Sequence, residues 1–187
     1  MTVMTKERLL DEANHLMRER GYSAFSYADL SKKIGITKAS IHHHFPTKDQ
    51  LGEQVVIMAL SEAETVFAAI EANNPTLATR LTGYMRIFSD SYHVSKLPLC
   101  CALSADMANL PENVKVQAVA YFDMQIRWLT KIIGQAIAKK QISEVAAPDK
   151  IALLIITICE GASVVARATK NSEIFDTSIE QILTMLS

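Results

Sequence analysis

The sequence predicts an all-α protein: a three-helix helix-turn-helix head followed by a helical body, about nine helices in all. Apolar residues recur at helical spacing through nearly the whole length, and strand-like alternation is absent. Glycines are few, with six in 187 residues, and Pro75, Pro98, Pro111 and Pro148 fall where the periodic segments break. Nearly half the residues are hydrophobic, so the chain can bury a sizeable core.

In chain order, Leu9, Leu10, Ala13, Leu16 and Met17 form one stripe that ends at Gly21. Ser26 caps the next helix, with Asp29 at the reciprocal position of a capping box. Leu30 and Ile34 give that helix an inward stripe, Gly35 turns the chain and Ile36 fills the corner. Thr37 caps a short helix running to His44, and Thr47 with Gln50 opens a long one that Asn73-Asn74-Pro75 stops. Helices follow over 76–94, around 100–108, from Pro111 to Lys139-Lys140, from Pro148 to Thr169, and over 172–186.

Charge is uneven. Residues 1–50 hold eight Lys/Arg against six Asp/Glu, and the remainder eleven against fourteen, so the basic excess lies at the N-terminal end. Three cysteines without regular spacing form no disulfide framework, and the start lacks an apolar leader. The apolar run Ile151 to Cys159 is too short to span a bilayer. The expected compartment is the cytoplasm, with no membrane partner.

A helix, glycine turn and second helix carrying Lys38, Ser40, His42 and His43 has the geometry that places side chains in a DNA major groove. Three consecutive histidines, 42–44, point to different helix faces and cannot share one ion, so no metal and no cofactor is assigned. No nucleophile–base pattern, phosphate loop or paired-carboxylate motif is visible, and an enzyme is not expected.

The segment 21–51 resembles the N-terminal domain of the TetR family of bacterial transcription regulators. The resemblance rests on Gly21-Tyr22, Ser26, Asp29-Leu30, Gly35-Ile36-Thr37-Lys38-Ala39, Ile41-His42-His43-His44-Phe45 and Thr47-Lys48-Asp49-Gln50-Leu51. His42 stands where the family usually has Tyr, and Ala39 where it usually has Gly. The resemblance implies a DNA-binding domain over 1–50 and a ligand-binding and dimerisation domain over 51–187. It also implies a ligand-responsive repressor that holds a pseudo-palindromic operator as a homodimer and is released by a small apolar or aromatic effector.

The expected DNA-contacting set is Ser26, Tyr27, Lys38, Ala39, Ser40, His42, His43, His44, Thr47 and Lys48. The family binds effectors between its middle helices, which assigns a pocket to Tyr84, Met85, Phe88, Tyr92, Cys100, Tyr121, Phe122, Gln125 and Trp128, with Asp106 among the polar groups available to orient a ligand. The family pairs through its last two helices, which assigns an interface to Ile155, Ile158, Ala162, Val165, Ile179, Ile182 and Leu183. The alternative is a repressor that senses electrophiles or oxidants through Cys100 or Cys101, whose nearest obvious cation is Lys96.

Overall fold

The computed structural model describes residues 2–142 and 146–187. Among these, nine α-helices and one short 3-10 turn are present and no strand. The helices are α1 (Thr2–Arg20), α2 (Tyr27–Ile34), α3 (Lys38–His44), α4 (Lys48–Asn73), α5 (Leu77–His93), α6 (Leu99–Asp106), α7 (Glu112–Ala138), α8 (Pro148–Thr169) and α9 (Glu173–Leu186), with the 3-10 turn at Met107–Asn109.

The chain packs as two compact units. The first comprises Met1–Glu62 and Leu99–Tyr121, the second Ala63–Pro98 and Phe122–Ser187. This packing boundary falls inside α4 and differs from a division at residue 50. The first unit closes around Leu9, Leu16, Met17, Leu30, Ile41, Leu51 and Val55, together with Leu99, Leu103, Leu110, Val114 and Ala118 from downstream. Each large apolar side chain taken from water there contributes roughly 1.5–3 kcal/mol before entropy is counted. α1 packs on α6, which gives the buried Leu99, Cys100, Cys101, Ala102 and Leu103 a partner.

In the second unit α5, α8 and α9 pack against one another. Its aromatic core joins Phe67, Tyr84, Phe88 and Trp128, with Phe67 and Trp128 stacked at 4.5 Å between centroids. The Tyr84 hydroxyl donates to Gln125 Oε1 at 2.8 Å, so a buried phenol and a buried amide satisfy one another.

By length and composition α8 as a whole is apolar enough to cross a membrane, a property that the run 151–159 alone does not reveal. Ile151, Ala152, Ile155, Ile156, Cys159, Ala162, Ser163 and Ala166 are buried within the fold. Leu153, Leu154, Val164 and Val165 remain about half exposed on the other side. α8 is therefore a packed core helix with a second apolar face.

Candidate nucleic-acid interface

Local chemistry sets the geometry of the head. At α2 the Ser26 N–H donates to Asp29 Oδ2 at 2.8 Å and the Asp29 N–H reaches Ser26 Oγ at 3.4 Å, the reciprocal capping box. The hydroxyl and backbone bonds from Ser26 hold the Asp29 carboxyl below the usual carboxylate range. Gly35, at φ 76, ends the helix in the left-handed region open to glycine, and its N–H bonds Ser31 O. Arg8 donates to Ile34 O at 3.2 Å, supplying another of the carbonyls that the helix end leaves free. Thr37 then caps α3 by accepting from the Ser40 N–H at 3.2 Å.

α3 is anchored through Ile41, which is fully buried, while Lys38, Ala39, His42 and His43 are exposed. Ser40, His44, Tyr27 and Lys48 are half-buried, and Ser26 and Thr47 are exposed. The Tyr27 hydroxyl donates to Phe45 O at 2.8 Å and ties the start of α2 to the end of α3. Burial, then the nearby Asp49 charge, pushes that phenol up to about 12. The His42 ring lies edge-on to Tyr27 at 4.8 Å, with Nδ1 3.1 Å from Pro46 O. A carbonyl only accepts, so Nδ1 carries a proton and the neutral ring keeps Nε2 as an acceptor. Among the described residues no three His, Cys, Asp or Glu side chains converge as a metal site.

Lys48 is engaged inside the head. Its ammonium sits 4.4 Å from the Tyr22 ring centroid and 4.5 Å from that of Phe25. Burial lowers its pKa, opposed by the Asp106, Asp49 and Asp29 charges. Replacing Lys48 therefore disturbs the head as well as any phosphate contact.

Asp106, read from the sequence as a ligand-orienting group, belongs to the head. Its Oδ2 accepts the Ser23 N–H at 2.8 Å. Gly21, at φ 88, allows this approach, because a Cβ there would lie 2.8 Å from the same oxygen. Nothing in the local sequence marks the link, since the partners are 83 residues apart. Asp106→Ala is expected to lower the stability of the first unit by about 1 kcal/mol, the modest value appropriate to an exposed bond to a charged acceptor. Faster amide exchange at Ser23, with exchange in α9 unchanged, checks it.

The pocket residues divide between the units: Cys100 and Tyr121 lie in the first, the others in the second. Tyr84, Met85, Phe88, Gln125 and Trp128 are buried, and Phe88 and Trp128 both lean on Tyr84. Cys100 and Cys101 are also buried, at 2% and 6% exposure. Of the interface set, Ile155, Ala162 and Ile182 are core residues of the chain, at 1%, 5% and 1% exposure. Ile158, Ile179 and Leu183 are half-buried and Val165 is exposed. On a helix apolar around most of its circumference, periodicity identifies stripes but not which one faces inward.

Residues 9–55 match the family model described as bacterial regulatory proteins, tetR family. The whole chain is similar to the HTH-type transcriptional repressor DhaR of Mycobacterium sp. (strain GP1), 23% identical over 182 residues, which covers 97% of this chain and 89% of that protein. The head is similar to the biofilm operon negative regulator IcaR of Staphylococcus aureus, 37% identical over 51 residues, 27% of either chain. Among solved structures, a TetR-family transcriptional regulator from Agrobacterium tumefaciens superposes with a TM-score of 0.95 over 100% of both chains at 28% identity. With the matched head, the nine helices among the described residues and this whole-length likeness taken together, the chain is similar throughout to TetR-family bacterial transcription regulators, and residues 9–55 match that family's own model.

Proposed function

We propose that this regulator is a ligand-responsive repressor in the cytoplasm, binding a pseudo-palindromic operator as a homodimer and released by a small effector. The observation that carries the reading is α3: one buried anchor, Ile41, and an outward face of Lys38, Ala39, His42 and His43. Lys38 neutralises backbone phosphate, with Thr47, Ser26 and Tyr27 flanking it. His42, fixed by Tyr27 and Pro46, offers Nε2 as an acceptor to an exocyclic base amine, and His43 and Ser40 reach neighbouring edges. Residues 1–50 supply the DNA-reading function and 51–187 the pairing and effector functions. Repression is supported by the likeness to DhaR and IcaR, a transcriptional repressor and a negative regulator by name.

Pairing uses the exposed apolar face of α8, with Leu153, Leu154, Val164 and Val165, joined by Ile158 and by Ile179 and Leu183 of α9. The effector site lies in the second unit, walled by aromatic residues including Phe88 and Tyr92. α4 and α7 each contribute residues to both units, and the chain passes between the units in both helices and at 98–99. An effector that discriminates between the two states by about 1–3 kcal/mol suffices for release.

Selection from random duplexes followed by a salt titration tests the head. Lys38→Ala is expected to weaken all sequences alike and reduce the salt slope by about 1, whereas His42→Ala shifts preference at one base pair of each half-site. Salt-insensitive binding, or loss of preference in Lys38→Ala but not His42→Ala, would refute these roles.

A further inference from the structure

The three histidines of α3 differ in how their rings are held. His42 has one nitrogen committed to a neighbour, Nδ1 at 3.1 Å from Pro46 O. The rings of His43 and His44 meet each other at 5.6 Å, and among the described residues no hydrogen bond fixes either. Tyr27 meets the His42 ring at 4.8 Å and is itself anchored, because its hydroxyl donates to Phe45 O. His42 therefore presents a fixed ring, on an exposed side chain, with Nε2 as the nitrogen left for a ligand.

Protonation alters that nitrogen and leaves the anchor as it is. A carbonyl only accepts, so Nδ1 carries its proton whether the ring is neutral or charged. Nε2 is an acceptor in the neutral ring and a donor in the cation. Imidazole is the side chain that ordinarily passes between these forms from about pH 5 to 8.

The charged and titratable groups on the neighbouring elements leave Nε2 to solvent. On α3 itself Lys38 stands one turn earlier, and His43 and His44 follow. α2 brings the Tyr27 phenol, pushed up to about 12 and so neutral throughout this range, and ends in the exposed Lys32 and Lys33. α1 brings Lys6, 5.7 Å from the Phe45 ring. α4 opens with Lys48, held on Tyr22 and Phe25, and with Asp49, which accepts the Tyr22 hydroxyl. Among the described residues no ion pair joins His42 to any of these.

The major groove offers both matching partners. Adenine and cytosine present an exocyclic amine there, thymine and guanine a keto oxygen. Inverting a base pair exchanges one for the other at a given point of the groove. We propose that His42 is a proton-switched base reader: Nε2 selects an exocyclic amine when the ring is neutral and a keto oxygen when it is protonated, so base preference at this operator position turns over with pH. The switch rests on the placing of His42 at a base edge argued above. Protonation of His43 or His44 raises attraction to phosphate for all sequences alike. A ratio between two duplexes that differ only at the His42 pair therefore isolates the switch.

The test uses the full chain and the selected operator, with the His42-dependent pair in either orientation, at about pH 8 and pH 5.5 and constant salt. The amine-presenting duplex is expected to bind at least fivefold tighter at the higher pH. That ratio should fall at least tenfold, and so invert, at the lower pH. His42→Gln keeps an acceptor but has no proton to gain, and its ratio should stay within twofold across the range. Nitrogen-15 spectra of the imidazoles in the free protein should show the neutral His42 ring protonated at Nδ1. A wild-type ratio that does not move with pH, the same movement in His42→Gln, or a neutral ring protonated at Nε2 overturns the switch while the base contact stands. A pair preference that is the same in wild type and His42→Ala at both pH values overturns the base contact itself, and the switch with it.

Discussion

Leu154→Glu and Val165→Glu are each expected to convert the dimer into a monomer and lower operator affinity by about 10²–10⁴-fold, with the fold intact. Both side chains are about half exposed on α8, so the isolated subunit tolerates a charge there. Across a two-fold axis the same charge would be buried without a partner, at a cost of several kcal/mol. Once pairing is lost each head holds only a half-site, and the gain from linked binding disappears. Sedimentation and operator titration on the same samples check this, and a dimer persisting in both variants would move the interface elsewhere. Ile182→Arg is a poor substitute, because Ile182 is 1% exposed and its replacement attacks the subunit core.

The second large effect is expected at Trp128, the only tryptophan in the chain. Trp128→Ala should cost about 3–5 kcal/mol of unfolding free energy. The ring stacks on Phe67, tilts against Tyr84 and donates from Nε1 to Glu71 Oε1 at 2.9 Å. Lys131 bonds both oxygens of the same carboxylate, at 2.9 and 3.0 Å. Trp128→Phe retains the stacking and should recover most of the loss. Denaturant unfolding followed by helical circular dichroism measures both, since the indole fluorescence is gone.

The same cluster has a pH signature. Burial alone raises the Glu71 carboxyl, but the Lys131 and Trp128 hydrogen bonds and the Lys131 charge more than offset it, and the group titrates below its ordinary value. A depressed carboxylate stabilises the fold above its unfolded pKa, and that contribution is lost as pH falls through the folded value. Glu71→Gln should therefore flatten the acid limb of the stability curve.

Helix limits were legible in the sequence because their signals are local. The capping pair Ser26–Asp29, the Thr37 cap, the Gly35 turn and the Pro148 start all fall where the structure puts them, whereas the capping box at Thr76 carries no such reading. The exposed face of α3 follows in the same way, since only Ile41 can be its anchor. Packing was less legible. Which side of α8 faces inward depends on α5 and α9, and the Asp106–Ser23 link joins residues far apart in the chain. A cleft lined by Phe88, Leu97 and Ser163 draws on segments 88–98 and 163–170, neither of which carries a motif by itself.

The first unit borrows Leu99, Leu103, Leu110, Val114 and Ala118 for its core. On a translating ribosome the N-terminal helices therefore emerge well before the residues that complete their burial, and the unit waits while the whole of α5 is made. At about 5–20 residues per second that interval lasts several seconds, with Leu9, Met17 and Leu51 only partly covered. A transplant of residues 1–50 onto another body would carry the same deficit permanently, so an exchangeable head has to bring the 99–121 segment with it.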